Sequence, residues 1–330
     1  MILTGKLLGD GIKKVFVTGG AGFIGSHVVD LLVQQGYHVT CFDNLSHGHL
    51  DYLAPHVGKK NFVFVEGNLL DKEKVMDHLK GNDVVWHLAA NTDIIGSHAK
   101  PERDLNDGVI ATYHVLEAMR LHKVIHLLFP SSGAVYGNLC TEDYVTEKSG
   151  PLLPVSTYGA GKIGCESFIS SYCHVYGIRA WVFRFGNVIG SRMTHGVIYD
   201  FINKLKKNPH QLEILGDGKQ EKNYFLVEEC IDGMAYAFRH VPLTENEPCK
   251  VFNLGTNSIS RVVNIANIII DEMGLKNTEV KIAGTKLAWP GDQPRVHMEV
   301  NLMSSFGWNA KYSSDESVRI AVRRYLRKES

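Results

Sequence analysis

Tyr158 and Lys162 stand four residues apart in Ser156-Thr-Tyr-Gly-Ala-Gly-Lys162, a spacing that puts both side chains on one face of a helix. A phenol is a poor base at neutral pH, its reference pKa being about 10. Bringing a tyrosine to about 7 takes roughly 4 kcal/mol, which a neighbouring ammonium and an oxidised nicotinamide can jointly supply in a partly desolvated site. Tyr158 would then take the proton of a substrate hydroxyl as hydride leaves the same carbon. Two further hydroxyls, Ser131 and Ser132, come after an apolar run in Pro130-Ser-Ser-Gly-Ala-Val-Tyr-Gly137 and offer a hold on the same oxygen. Each pattern alone is common: Tyr-x-x-x-Lys recurs by chance on amphipathic helices, and paired serines are ordinary in turns. Their order along the chain, behind a glycine-rich turn, makes them specific.

That turn is Thr18-Gly-Gly-Ala-Gly-Phe-Ile-Gly-Ser-His27. Gly19, Gly22 and Gly25 recur every third residue, after the apolar residues 15–17 and before the helical pattern Phe23, Ile24, Val28, Leu31, Leu32. Such glycines let the turn take positive φ, let backbone approach a pyrophosphate, and let the helix pack on the strand, with helix N–H groups facing the phosphates. Asp43 ends the next apolar run, where a carboxylate accepts from a ribose 2′-hydroxyl and repels a 2′-phosphate. No arginine stands closely after it, so the expected dinucleotide is NAD rather than NADP. His87-Leu88-Ala89-Ala90 comes after another apolar run, its small residues leaving room for a nicotinamide ribose against the backbone.

The elements needed to hold these groups alternate. Strands are expected at residues 14–18, 37–42, 61–66, 83–87, 124–130 and 178–184, mostly continuous apolar runs suited to burial on both faces. Helices are expected between them at 25–35, 72–80, 101–121 and 157–176. This alternation predicts a doubly wound parallel α/β sheet of Rossmann type, with ligands at the edge where the strands end. Beyond residue 187 the pattern turns irregular, with helices expected at 196–207, 228–238, 260–273 and 315–327, and it predicts a smaller cap. Residues 1–11 are left outside the fold. Lys and Arg total 35 and Asp and Glu total 35, so no global charge argues for nucleic acid or a membrane surface. Six cysteines show no CxxC pair, no run approaches a membrane span, and the start lacks a signal-peptide core. The expectations are a cytoplasmic protein without a metal site, acting on a small molecule.

With these residues in hand, the chain resembles the extended short-chain dehydrogenase/reductases over residues 13–327, and within them the NAD-dependent nucleotide-sugar epimerases and dehydratases. The motifs are residues 18–27, Asp43-Asn44, Gly67-Asn-Leu-Leu-Asp71, residues 87–90 and 131–137, Tyr158 with Lys162, Arg184-Phe-Gly-Asn187 and Gly291-Asp292. Residues 187–192 and 195–199 look most like UDP-glucose 4-epimerases and their relatives. The resemblance implies that Ser132, Tyr158 and Lys162 are the catalytic set. It implies cofactor contacts from Gly19, Gly22, Phe23, Ile24, Gly25, Asp43, Asn44, Asn68, Leu69, Leu88, Ala89, Ala90, Tyr158 and Lys162. It also implies that Asn187 and residues of the second half hold a nucleotide diphosphate-sugar, with Ser132, Arg192, Lys222 and Arg295 as further candidates. The implied domains are an extension at 1–12, an NAD-binding domain at 13–186 and a nucleotide-sugar domain at 187–330, with a discontinuous boundary. A homodimer is implied too, through helices carrying Val109, Tyr113, Leu116, Phe168 and Tyr172.

Departures narrow the activity. Family dehydratases place acids just after the catalytic Ser or Thr, where this chain has Gly133 and Ala134, so a 4,6-dehydratase is not expected. Gly108 stands where the family usually has Asn, and Asn106, about 200° away around an α-helix, does not replace it. Asn68 replaces an adenine-side Asp, Lys222-Asn223 an Arg-Asp pair, and Trp289-Pro290 a segment with Arg. The expected activity is 4-epimerisation of a UDP-hexose, of UDP-glucose/UDP-galactose type, through a transient 4-keto sugar. The alternative is a nucleotide-sugar 4-dehydrogenase or ketoreductase with net hydride transfer. A cofactor sensor without chemistry would have no use for Ser132, Tyr158 and Lys162 together.

Overall fold

The computed structural model describes residues 5–94, 96–141, 144–285, 287 and 291–328. In chain order its first half runs β1 (Lys14–Thr18), α1 (Phe23–Gln34), β2 (His38–Asp43), β3 (Phe62–Glu66), α2 (Lys72–Leu79) and β4 (Val84–His87). A π-helical turn (Asp104–Ile110) then leads into α3 (Ala111–His122), β5 (His126–Ser132), α4 (Thr157–Tyr176) and β6 (Arg179–Phe185). The second half runs β7 (Asn187–Ile189), α5 (Val197–Lys207), β8 (Gln211–Ile214), β9 (Glu221–Lys222), β10 (Tyr224–Leu226), α6 (Val227–His240) and β11 (Cys249–Leu254). It ends with β12 (Ser260–Arg261), α7 (Val262–Glu272), β13 (Glu279–Ile282), β14 (Arg295–Val296), α8 (Asn301–Ser305) and α9 (Ser314–Lys328).

Two compact units emerge. The first comprises residues 1–135, 156–184 and 231–252, the second residues 136–155, 185–230 and 253–330. The first is built on a seven-stranded parallel sheet in the order β11-β6-β5-β4-β1-β2-β3. The order reverses direction between β1 and β4, whose parallel register pairs Thr18 with His87. Two chain ends that could carry ligand contacts therefore lie side by side at the switch point. The strands read as continuous apolar runs because helices cover the sheet: Val15, Phe16 and Val17 are buried, as are Val84, Val85 and Trp86. Val28, Val29, Leu32 and Val33 form the buried stripe of α1. A fully buried side chain of this kind contributes about 1.5–3 kcal/mol.

Two expectations change. Helix 101–121 is not one α-helix, since its first part is π-helical, so the angular argument separating Asn106 from Gly108, based on the α-helical period, does not carry over. Residues 5–10 also pack onto the first unit. Leu7 and Leu8 are buried, Leu7 N–H donates to Gln35 Oε1 (2.6 Å) and Leu8 N–H to the Tyr37 hydroxyl (2.8 Å), and Arg239 caps the Leu7 carbonyl (2.6 Å).

The second unit holds short ribbons: β7 with β10, β9 between β12 and β14, and β8 with β13. Helices α5, α7 and α9 pack against them and one another. Among the described residues no helix is long and apolar enough to cross a membrane.

Candidate active site

The glycine turn is built from β1 outward. Gly19 has φ +66°, and a Cβ there would come within 2.7 Å of Ala89 N, so only glycine lets the turn pass this close to the end of β4. A Cβ at Gly25 would overlap the Gly19 carbonyl oxygen, so the first turn of α1 closes directly onto the loop. Helix α1 follows Gly22 at its N-cap, with no side-chain cap and no acid in its first turn. Its N-terminal N–H groups and dipole are left for a negative group from outside the helix. Phe23 and Ile24 are half-buried there.

Asp43 stands beside the turn. Its Oδ2 accepts from Ala21 N–H (2.9 Å) and its Oδ1 from Leu45 N–H (2.8 Å). Burial pushes this carboxyl above its ordinary pKa, with the two N–H donors opposing. Each oxygen keeps acceptor capacity, so a hydroxyl donor would relieve a buried and incompletely satisfied charge. An uncapped helix N-terminus, a turn without Cβ atoms and this carboxylate together fit a dinucleotide. Asn44 and Asn68 are exposed, each accepting from the N–H two residues on (3.0 and 2.9 Å). Leu69 is buried in the core, so what it can offer a ligand is backbone.

Behind Leu88, Ala89 and Ala90, all half-buried, runs a hydrogen-bonded chain. Ala89 N–H donates to Thr18 Oγ1 (3.1 Å), the Thr18 hydroxyl to His87 Nδ1 (2.7 Å), His87 Nε2–H to Thr112 Oγ1 (3.0 Å), and the Thr112 hydroxyl to Cys165 Sγ (3.3 Å). This direction requires neutral His87 protonated on Nε2. Burial, and secondarily the Lys162 charge, push its pKa down to about 3. The imidazole is a neutral strut.

Lys162, buried on α4, donates to the Pro130 carbonyl (2.7 Å). Its ammonium lies 4.8 Å from the Phe129 ring centre and 5.9 Å from that of Tyr158. The structure thus brings the pair together against the end of β5, with Tyr158 half-buried. It also separates the two serines. Ser131 is buried and donates to Glu166 Oε1 (2.5 Å), while Ser132 is half-buried and its Oγ accepts from Ala134 N–H (3.2 Å). An oxygen that accepts one backbone hydrogen bond keeps its own proton to donate, so Ser132 is the hydroxyl available to a ligand.

Several supports lie outside the motifs. Glu166 is gripped by Arg184 through a fork (Nε to Oε1 3.0 Å, Nη2 to Oε2 2.7 Å). A Glu one turn after Lys162 on the same helix face was a visible signal. Asp104 accepts from Thr157 Oγ1 (2.7 Å) and Asn91 Nδ2 (2.8 Å), and Ser156 Oγ accepts from Gly159 N–H (3.1 Å). These bonds fix the N-terminus of α4 beside Tyr158, and nothing local in sequence announced Asp104 or Asn91.

In the second unit, the Asn187 N–H and side-chain amide both donate to the Asn223 carbonyl (2.9 and 3.3 Å). Arg192 adopts a left-handed φ of 69°, unusual for a residue with a Cβ. Lys222 pairs with Asp292 (3.1 Å), whose side chain is 1% exposed. Arg295 pairs with Glu221 (3.0 Å), a buried carboxylate that also meets Arg261 (3.3 Å) and His297 (3.2 Å). Lys222 and Arg295 therefore lie on one ribbon, each tied to a buried acid. Trp289 and Pro290 lie outside the described residues.

Comparison with known proteins agrees with this geometry. Residues 15–255 match the model of the NAD dependent epimerase/dehydratase family. A putative UDP-glucose 4-epimerase of Methanocaldococcus jannaschii is 31% identical over 317 residues, covering 93% of this chain and 97% of that protein. A dTDP-D-glucose 4,6-dehydratase of Mus musculus is 29% identical over 323 residues, covering 95% and 88%. The crystal structure of the Thermus thermophilus UDP-glucose 4-epimerase in complex with NAD superposes with a TM-score of 0.81 at 29% identity, covering 95% of this chain and 99% of that one. A chain with this turn, this sheet and this match belongs to the NAD-dependent epimerase/dehydratase family of enzymes, of the extended short-chain dehydrogenase/reductase type, and its cofactor is NAD.

Proposed function

We propose that the protein is a nucleotide-sugar 4-epimerase acting on a UDP-hexose. The observation that carries this reading is the pair of residues directly after Ser132. Gly133 and Ala134 offer no acid or base, and the Ala134 N–H is spent on Ser132 Oγ. A 4,6-dehydratase must also remove a C5 proton and expel the C6 hydroxyl, and nothing in this stretch does so. The remaining set moves one proton at a time.

Held by the turn of residues 19–25, Asp43 and the backbone of residues 88–90, NAD would supply a hydride acceptor for the sugar C4 and return the hydride afterwards. Tyr158 Oη takes the proton of the C4 hydroxyl, and Ser132 Oγ donates a hydrogen bond to the same oxygen. The Lys162 ammonium, close to the Tyr158 ring, stabilises the negative charge that the Tyr158 oxygen carries before it takes this proton and again after it gives it up. Tyr158 later gives its proton back to O4 of the turned 4-keto sugar. Asn187, Arg192, Lys222 and Arg295 take the diphosphate, with Lys222 as a point charge rather than a fork.

Purified protein should convert a UDP-hexose to its C4 epimer with no added NAD and no lasting absorbance of reduced nicotinamide. A 4-keto sugar accumulating with stoichiometric reduced cofactor, across every nucleotide sugar tried, would make it a dehydrogenase. That outcome has its own support, because Lys222 is already engaged by Asp292, which weakens its hold on a phosphate.

We further propose a homodimer. Leu116 and Tyr172 are used inside the subunit, but Phe168, Val175 and Tyr176 on α4 and Leu105 beside α3 are exposed, with Val109 and Tyr113 partly so. Apolar exposure on two adjacent helices suits a helix-pairing interface. Light scattering at micromolar concentration should give twice the subunit mass, and a monomer mass contradicts it.

A further inference from the structure

Ser132 and Tyr158 belong to the first unit, yet residues 136–155 between them belong to the second. The outgoing end of this excursion is pinned, and the returning end packs against it. Tyr136, fully buried, donates its hydroxyl to Asn253 Oδ1 (2.6 Å). Asn253 donates in turn to the Val145 and Glu299 carbonyls (3.1 and 2.9 Å). The Gly137 carbonyl accepts from Gln293 Nε2 (2.7 Å). Gly137 itself has φ 56° and ψ −131°, a conformation that favours glycine. A Cβ there would overlap the Leu153 carbonyl oxygen, so the outgoing and returning chains touch at this point. Ser132 lies five residues before the contact, and Tyr158 five residues after Leu153.

We infer that the pinch at Gly137 and Leu153, clamped by Tyr136–Asn253 and by Gln293, is a positioning device that sets the separation of the Ser132 and Tyr158 hydroxyls. It rests on the reading above that both hydroxyls serve one substrate oxygen. Tyr136, Gly137, Asn253 and Gln293 are thus positioning residues, acting through the chain they hold.

Tyr136→Phe and Gln293→Met each open one clamp without touching a reacting group. Crystal structures of the NAD-loaded wild type and both variants report the distance from Ser132 Oγ to Tyr158 Oη, whatever reaction the protein runs. The expected result is a separation wider by about 1 Å and a single-turnover rate lower by about 10- to 10²-fold, with UDP and NAD affinities changed by less than about twofold. An unchanged separation overturns the inference whatever the rates do. So does a wider separation with an unchanged rate, or a loss of affinity in proportion to the loss of rate. If the wild type converts no nucleotide sugar, the epimerase reading fails, and the measured separation still decides the clamp.

Discussion

Replacing Tyr158 with phenylalanine is expected to lower turnover by about 10²- to 10⁴-fold, the usual effect of losing a general acid-base group, while NAD stays bound. The ring and its contact with the Lys162 ammonium survive, as do the bonds that fix the start of α4, from Thr157 to Asp104 and from Gly159 to Ser156. Only the proton acceptor is lost. Among the described residues the neighbouring groups cannot stand in: His87 is buried and held neutral, and the carboxylate beside Ser131, Glu166, is already bonded to Ser131 and Arg184. Steady-state kinetics with the nucleotide sugar, alongside quantitation of bound NAD, checks this. Near-normal turnover in the variant would assign the proton to another group.

Removing the Glu166 carboxylate is expected to have the largest effect on stability. Its partner Arg184 has a side chain 5% exposed and Glu166 one 11% exposed, so Glu166→Ala takes a two-pronged carboxylate contact away from a buried guanidinium. Breaking a buried pair from one side costs about 3–5 kcal/mol, a large share of the ~5–15 kcal/mol that holds a domain folded. Ser131 loses its acceptor as well, so the end of β5 beside Ser132 loosens along with the end of β6. Glu166→Gln keeps an acceptor for both partners and should lose much less. Urea unfolding of the three proteins reads the difference directly. An alanine variant within about 0.5 kcal/mol of wild type, the range of ordinary surface changes, would mean that Arg184 finds another partner or water.

The groups legible in the sequence are those whose roles are local. A glycine forced by close approach to the next strand end, an acid at the end of β2, and a Tyr and Lys one helical turn apart each declare themselves within a few residues. The alternation of buried strands and helices told the sheet, because apolar runs of this length have few other uses. Long-range pairing was not legible. Nothing near Ser131 shows that Glu166 claims it, so the two serines looked alike until the fold brought α4 against β5. Residues 104–110, Asp-Leu-Asn-Asp-Gly-Val-Ile, carry no local mark of a π-helical turn, which lies where Gly161 and Gly164 of α4 let the segment come close: added Cβ atoms there would lie 2.8 Å from Asp104 O and from Val109 Cγ2. Cys249–Leu254, the seventh strand, sits in a half whose short, mixed segments gave no strand period. Leu7 and Leu8 were two leucines without context.

In the proposed reaction, hydride leaves C4 of the sugar and comes back to the same carbon on the other face. Deuterium at C4 of UDP-glucose, tracked by NMR on purified protein with no added NAD, tests it most directly. The expected product is UDP-galactose with the deuterium retained at C4. An epimer that has lost the label, or a 4-keto product accumulating with an equivalent of reduced cofactor, would contradict it.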